Sequence, residues 1–354
     1  IRFGIIGAGG IARIMHLPEI AGLGQARARV ILIQGRKTSR LRHLCDRFGV
    51  PHWTHHEDHV LSDPDVDAVI VATPHPLHVA PGIRAIRAGK HLFMQKPLCA
   101  SMAEADAFVK AASGTKKTVM VLPHFAPPVV GARDLVRKKA IGRASAAYAR
   151  TSHGGPEVYY KQVSDAFGER FDPRDKRDLW FFDKKKADVG ALFDMGVYSV
   201  SFLVAMLGTV RRVTGIVRTH DKPTPLEDTA TLILEFASGI YGTAETGWTD
   251  PVCTWQFRIH GTRGNLTFGF GDSGLTRWTP GSYTKEGVPP KRVPVRLRPY
   301  DRGSAHAHFL DCVEKGIQPP LSHARAARHV TEILLAGLES AKTGRPVPVH
   351  SQAE

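Results

Sequence analysis

Five short, largely apolar runs, each leading into a helical pattern or a proline break, occupy the first third of this 354-residue chain. The runs are Arg2–Ile6, Arg29–Gln34, Ala68–Ala72, His91–Met94 and Thr118–Leu122. Helical periodicity falls between them, over Ile11–Gly22, Ser39–Phe48, Leu77–Ala88 and Met102–Ala112. Strands that are apolar on nearly every residue are covered on both faces, and strand–helix alternation supplies the cover. The pattern therefore predicts a parallel, doubly wound α/β sheet. Pro123, Pro127 and Pro128 punctuate its end, so we expect a dinucleotide-binding domain over residues 1–122 and a second domain over 123–354.

The second part has a different texture. Arg143–Ser152, Val213–Thr219, Thr229–Phe236, Gly239–Thr246, Thr254–His260 and Asn265–Phe270 read as longer alternating strands joined by turns. They predict a large, mostly antiparallel sheet. Two helices, His306–Glu314 and Arg325–Lys342, close the chain. Asp172–Lys186 reads as a charged loop, and Asp272–Arg298 is rich in Gly and Pro.

The first strand ends in Gly7-Ala8-Gly9-Gly10-Ile11-Ala12, a G-x-G-x-x-A pattern at the start of a helix. The first glycine permits the tight turn, the second lets backbone approach a pyrophosphate, and the small Ala12 allows close helix–strand packing. First-turn amides of the helix, including those near Ile11, then point at phosphate. A dinucleotide fingerprint of the NAD type carries an acid at the end of the second strand, to accept from the ribose 2′-hydroxyl. Here that strand runs VILIQ into Gly35-Arg36-Lys37, with no carboxylate. An acid would repel a 2′-phosphate, whereas Arg36 and Lys37 attract one. The expected cofactor is NADP(H), with NAD(H) possible, Gly35 leaving room and Arg36 making the main contact; a solvated basic turn is the plainer alternative.

Lys96 follows the apolar strand His91–Met94 in the segment HLFMQKPL. Burying an unpaired ammonium is costly, and ligands of open α/β sheets sit at the carboxyl ends of strands. Lys96 is therefore expected in a site. Further on, Ala191–Leu207 is apolar on nearly every side and reads as one buried helix. Asp194 and Tyr198 are its polar exceptions, four residues apart and so on one face. They can point into a cleft; equally, Asp194 can be a helix cap and Tyr198 a core aromatic.

The order and spacing of these segments resemble the Gfo/Idh/MocA family of oxidoreductases along nearly the whole chain. The segments are FGIIGAGGIA, ATPHPLH, MQKPL, DMGVY, EDTATLILEFASGIYGT, HGTRGNL and HFLDCVEKG…SAKTGRPV. The resemblance implies a Rossmann domain followed by an α/β domain with a large open, mostly antiparallel sheet whose open face builds homodimers or homotetramers. It implies hydride transfer between a nicotinamide and a hydroxyl or carbonyl carbon of a sugar, polyol or related small molecule. By position, Lys96 matches the lysine of the family's E-K-P motif, with Gln95 and Pro97 beside it, and Asp194 and Tyr198 match the ends of D-x-G-x-H/Y. These three are the expected catalytic residues. Thr73, Pro74, His75 and His78 match a cofactor-contacting loop, and Trp180 lies where an aromatic nears the cofactor. Gln95 replaces the usual Glu, and Tyr198 the commoner His, as in the glucose–fructose oxidoreductase and dihydrodiol dehydrogenase branches. Without the glutamate, Lys96 is expected to deprotonate easily, and Gln95→Glu to shift the pH–rate profile to the alkaline side.

Other readings compete. A relative of this fold can use nicotinamide for transient oxidation in a glycosidase or lyase reaction, and a cofactor-binding sensor needs no chemistry at all. Net charge is +15, spread along the chain without a zinc-finger or aromatic RNA-binding signature, so no nucleic-acid partner is expected. His52, His55, His56 and His59 lack metal-ligand spacing and are expected in an exposed loop, with no metal site. No run is long enough to span a membrane and no signal-peptide pattern opens the sequence. The four cysteines are far apart, which fits a reducing, cytoplasmic setting.

Overall fold

The computed structural model describes residues 1–123, 126–172, 179–269, 274–281, 287–297 and 304–353. Phe270 and parts of the Asp172–Lys186 and Asp272–Arg298 stretches lie outside them. The chain forms two compact units, each assembled from three segments. The first comprises Ile1–His124, Pro156–Asp188 and Ser304–Thr331; the second comprises Phe125–Gly155, Val189–Gly303 and Glu332–Glu354.

The first unit is built on six parallel strands: β1 (Arg2–Ile6), β2 (Arg29–Gln34), β3 (His52–Thr54), β4 (Ala68–Val71), β5 (His91–Met94) and β6 (Val119–Val121). Their order is β3-β2-β1-β4-β5-β6, the doubly wound arrangement that the alternation of strands and helices predicts. One face buries Phe3, Ile5, Ile33, Ile70, Phe93 and Met120 against Leu17, Leu41 and Leu44. Phe309 and Leu310, from the helix Ala305–Lys315, complete that core. The other face buries Val69, Val71, Leu92 and Met94 under Val60, Val79, Ile86 and Phe108. In the histidine-rich stretch after the second helix, His52, His55, His56 and His59 are exposed as expected, but the backbone is not a loop. It forms β3, paired with β2, and the helix Glu57–Ser62. Three residues are too few to show a period, so pairing rather than pattern makes this strand.

The second unit is a nine-stranded mixed sheet: β7 (Ala144–Ser152), β8 (Val210–Arg218), β9 (Thr229–Phe236), β10 (Tyr241–Gly247), β11 (Trp255–Gly261), β12 (Gly264–Phe268), β13 (Thr276–Thr279), β14 (Lys291–Pro294) and β15 (Val347–Pro348). All neighbours are antiparallel except β10 and β7. Alternation is strict on β9, where Ala230, Leu232, Leu234 and Phe236 are buried while Ile233 is exposed. The inner face packs under the helix Gly196–Leu207, which is buried on nearly all sides.

That helix is shorter than the single run expected over Ala191–Leu207. The chain forms a short helix, Ala191–Asp194, breaks at Met195, and starts again at Gly196. Thr151 on β7 donates its hydroxyl to the Met195 carbonyl at 2.7 Å, beside the Tyr198 amide that bonds the same oxygen at 3.0 Å. Asp194 and Tyr198 therefore stand on successive helices rather than on one face of a single helix. Hydrophobic pattern continues through such a break because both pieces are equally buried.

Candidate active site

The turn after β1 has the geometry its glycines predict. Gly7 adopts a φ of 110°, a region few other residues enter, and a side chain there would strike the backbone of Ala72. Gly7 and Ala8 both donate their amides to the Gln34 carbonyl, at 3.0 and 2.9 Å, which ties the turn to the end of β2. Gly9 faces open space, with nothing within 4 Å of where a Cβ would stand. The helix that follows widens to a π-turn over Ala12–His16. Its first amides, at Gly10, Ile11 and Ala12, lie where a helix has no acceptor of its own. An open glycine beside such amides fits a dinucleotide pyrophosphate. Gly10 has a different reason to be glycine: a Cβ would collide with Val163 and Tyr159 of the helix Pro156–Phe167. That helix lies on the turn, and no local sequence signal announces it.

At the end of β2, Gly35 is buried against Ala8, and Arg36 is exposed. Lys37 and Arg40 are held by an acid that the sequence around β2 lacks. Glu169 accepts from Arg40 Nε at 2.7 Å and from Lys37 Nζ at 3.3 Å. The Arg40 guanidinium holds the Glu169 carboxyl below its ordinary range. Phe167, two residues earlier, lies under the guanidinium groups of Arg13 and Arg40, 5.7 and 4.8 Å from its ring centre.

Lys96 is half-buried at the carboxyl end of β5, and its peptide bond to Pro97 is cis. Gln95 is buried and joins a chain of polar groups. Its Oε1 accepts from the Lys96 backbone N–H at 3.1 Å, and its Nε2 donates to His16 Nε2 at 3.2 Å. His16 Nδ1 lies 2.9 Å from His306 Nε2, and His306 Nδ1 lies 2.8 Å from Glu19 Oε2. One proton assignment satisfies every link. The amide N–H meets an unprotonated His16 Nε2, His16 Nδ1–H donates to His306 Nε2, and His306 Nδ1–H donates to Glu19. Both imidazoles are then neutral. Burial, with His306 adding to it, pushes the His16 pKa well below its ordinary value. His306 also stacks on Phe93 of β5, ring centres 4.6 Å apart. Sequence reading found Gln95 but not the two histidines behind it.

The loop after β4 is held by its own histidines. His78 is buried, with Nδ1 2.7 Å from the Pro97 carbonyl and Nε2 2.8 Å from the Thr73 carbonyl. Its ring stands between the Thr73–Pro74 loop and the Lys96–Pro97 turn, and as a neutral imidazole its one N–H donates to one of the two carbonyls. Burial pushes its pKa down to about 4, against the pull of the two carbonyls. His75 Nε2 donates to the Ala187 carbonyl at 2.7 Å, and its ring lies 5.1 Å from that of Trp180. The Trp180 indole N–H donates to the Tyr160 hydroxyl. Thr73 donates its hydroxyl to the Leu77 carbonyl at 3.0 Å.

In the second unit, Asp194 is 8% exposed and acts as an acceptor. Its Oδ2 receives the Trp248 indole N–H at 2.9 Å and His153 Nε2 at 3.2 Å. His153 Nδ1 accepts from the Gly155 amide at 2.8 Å, so Nε2 carries the proton and a neutral ring donates to the carboxylate. Trp248, fully buried, was not visible as a site residue; it follows β10 with no motif around it. A second acid sets the start of the short helix. Glu227 Oε1 accepts from the Gly190 and Leu192 amides, at 2.9 and 3.3 Å, and the Glu227 carbonyl accepts from Ala191. Burial raises the Glu227 pKa against those bonds. Gly196 lets the next helix approach closely, since a Cβ would crowd Leu192 and Thr246. Tyr198 is half-buried with its ring 4.7 Å from that of Trp255. Among the described residues no group of His, Cys, Asp or Glu is placed to hold a metal ion.

Family models match both parts of the chain. Residues 1–122 match the model described as "Oxidoreductase family, NAD-binding Rossmann fold", and residues 129–267 match the GFO/IDH/MocA C-terminal domain. The chain is 23% identical over 353 residues to a trans-1,2-dihydrobenzene-1,2-diol dehydrogenase of Mus musculus, covering 94% of this chain and 95% of the relative. It is 27% identical over 254 residues to a levoglucosan dehydrogenase of Pseudarthrobacter phenanthrenivorans, covering 63% and 60%. A levoglucosan dehydrogenase structure in complex with NADH and L-sorbose superposes with a TM-score of 0.83 over 99% of both chains, at 21% identity. That likeness establishes the fold.

Proposed function

The chain belongs to the Gfo/Idh/MocA family of oxidoreductases, and from that premise we propose that it is an NADP(H)-dependent enzyme acting on a hydroxyl or carbonyl carbon of a sugar, polyol or related small molecule. The observation that carries this is local to one sheet. The open Gly9 turn follows β1, and Lys96 follows β5, at the same carboxyl edge of the parallel strands. That edge is where a doubly wound sheet binds dinucleotides. NAD-type recognition wants an acid at the end of β2, and Arg36 stands there instead, which supports preference for the 2′-phosphate.

When bound, the nicotinamide supplies the hydride chemistry; the protein orients the reactants and manages the proton. Lys96 donates a hydrogen bond to the reacting oxygen and stabilises negative charge that develops on it. Tyr198 exchanges the hydroxyl proton. Asp194 orients a substrate hydroxyl; its carboxylate is fixed by Trp248 and His153, so no reorientation is needed during the reaction. Relatives named for a dihydrobenzene diol and for levoglucosan support a neutral ring bearing hydroxyls as the substrate class.

We further assign a homodimer or homotetramer built through the open sheet face. Ile216, Ile233 and Tyr241 share that face and are 59%, 46% and 58% exposed, a hydrophobic surface suited to a second copy. Four free thiols support a cytoplasmic setting. The test is a panel of sugars, cyclitols and dihydrodiols with NAD and NADP, followed at the nicotinamide absorbance. Turnover with a ring polyol is expected; failure to bind either dinucleotide overturns the reading.

A further inference from the structure

We propose that Glu169 is a cofactor-specificity residue, the acid that limits how strongly this site prefers a 2′-phosphorylated dinucleotide. The proposal rests on the cofactor reading above and deepens it. Three basic side chains follow β2, at Arg36, Lys37 and Arg40. Lys37 and Arg40 both bind the Glu169 carboxylate, and Arg36 has no ion pair among the described residues. The basic turn is thus partly neutralised before any ligand arrives.

The placement of Glu169 is built. The helix Pro156–Phe167 packs Val163 and Tyr159 onto Gly10, the third glycine of the phosphate turn. It ends at Gly168, whose φ of 66° is left-handed, and the Glu169 amide closes the turn on the Ser164 carbonyl at 2.8 Å. Phe167 lies beside Arg13 of the first helix and Arg40 of the second. One segment therefore touches both the phosphate turn and the end of β2, and it delivers a carboxylate that is 23% exposed.

The consequence is electrostatic. A 2′-phosphate brings roughly −1.5 to −2 charges. It meets Arg36 favourably, but the Glu169 charge opposes it and occupies the two other cations. A ribose 2′-hydroxyl carries no charge and is indifferent to that field. Glu169 thus weakens NADP(H) selectively and keeps NAD(H) accessible.

The experiment is fluorescence titration of NADPH and NADH on the full chain, for wild type, Glu169→Gln and Glu169→Asp, with Tm recorded for each. Glu169→Gln is expected to tighten NADPH about tenfold, equivalent to about 1.4 kcal/mol, while NADH stays within about twofold. The gain shrinks as salt rises to about 0.15 M, because the pair is near the surface. Glu169→Asp keeps the charge and keeps the wild-type ratio. An unchanged ratio in Glu169→Gln, or equal tightening of both cofactors, overturns the proposal. Glu169→Ala removes the same charge and repeats the test if the glutamine variant does not fold. Arg36→Ala separates the two readings. If it and wild type both bind NADPH no better than NADH, the NADP preference fails, and the response of the ratio to Glu169→Gln still decides the role of Glu169.

Discussion

Glu19 and Asp194 each sit at a histidine, one in each unit, and the two arrangements differ in form. In the first unit, Glu19, His306, His16 and Gln95 make a line that ends on the Lys96 backbone. In the second, Trp248 and His153 converge on one oxygen of Asp194. A line in which each group gives one proton and takes one fixes orientation, because reversing any member breaks two bonds. A convergent pair of neutral donors on one carboxylate instead holds a negative charge in place. The line suits positioning of the Lys96 turn; the convergence suits the substrate-orienting role proposed for Asp194.

Breaking the chemistry itself gives the largest expected effect. Lys96→Ala should lower kcat by about 10³-fold or more, with NADPH binding still measurable by titration; near-normal kcat would remove Lys96 from the mechanism. Asp194→Asn keeps the shape but loses the charge, and steady-state kinetics should show a fall of about 10²-fold in kcat/KM.

The line is probed by pH. Gln95→Glu replaces an amide N–H donor with an acceptor, so His16 Nε2 must donate. Three hydrogen bonds then need three imidazole protons, and one ring becomes charged. That ring's pKa is raised in the folded state by the new carboxylate. Its contribution is present below the unfolded value of about 6.5 and is lost as pH rises through the folded pKa, by up to about 1.4 kcal/mol per pH unit. Thermal melts of Gln95→Glu should therefore fall as pH increases through this window. The unmodified chain has the opposite slope at acid pH. His16 and His78 have folded pKa values below the unfolded one, that of His78 about 4. Stability from both is present above about pH 6.5 and declines as pH falls below it. A melt temperature that stays flat from pH 7 to 5 would contradict their burial as neutral rings. The smallest effect belongs to the convergent pair. Trp248→Phe leaves His153 on Asp194, so kcat should drop only several-fold, with about 1 kcal/mol of stability lost in denaturant titration.

The alternation of apolar strands and helices was enough to place the doubly wound sheet, and Gly7-x-Gly9-x-x-Ala12 was enough to place the tight glycine turn after β1. Both are patterns of neighbouring residues, and each strand is apolar throughout because it needs cover on two faces; the order of the strands, and β3 at one edge, came only with the structure. The stretch around Asp194 was only half legible. Its apolar character gave the burial, but nothing in it marked the break at Met195, whose carbonyl is bonded by Thr151 of another strand. Lys96 was visible because a charge after a buried strand is costly.

What the tertiary structure alone decided lies in pairs far apart in sequence. Arg40 meets Glu169 across 129 residues, His16 meets His306 across 290, and Trp248 meets Asp194 across 54. No local period marks either partner of such a pair. Each is an ordinary polar residue until the fold removes water from around it, and then an unmet hydrogen bond or charge is costly enough to fix its neighbour. Sequence determined which backbone this chain could build; the long-range closure of that backbone determined the partners of Lys37, Gln95 and Asp194.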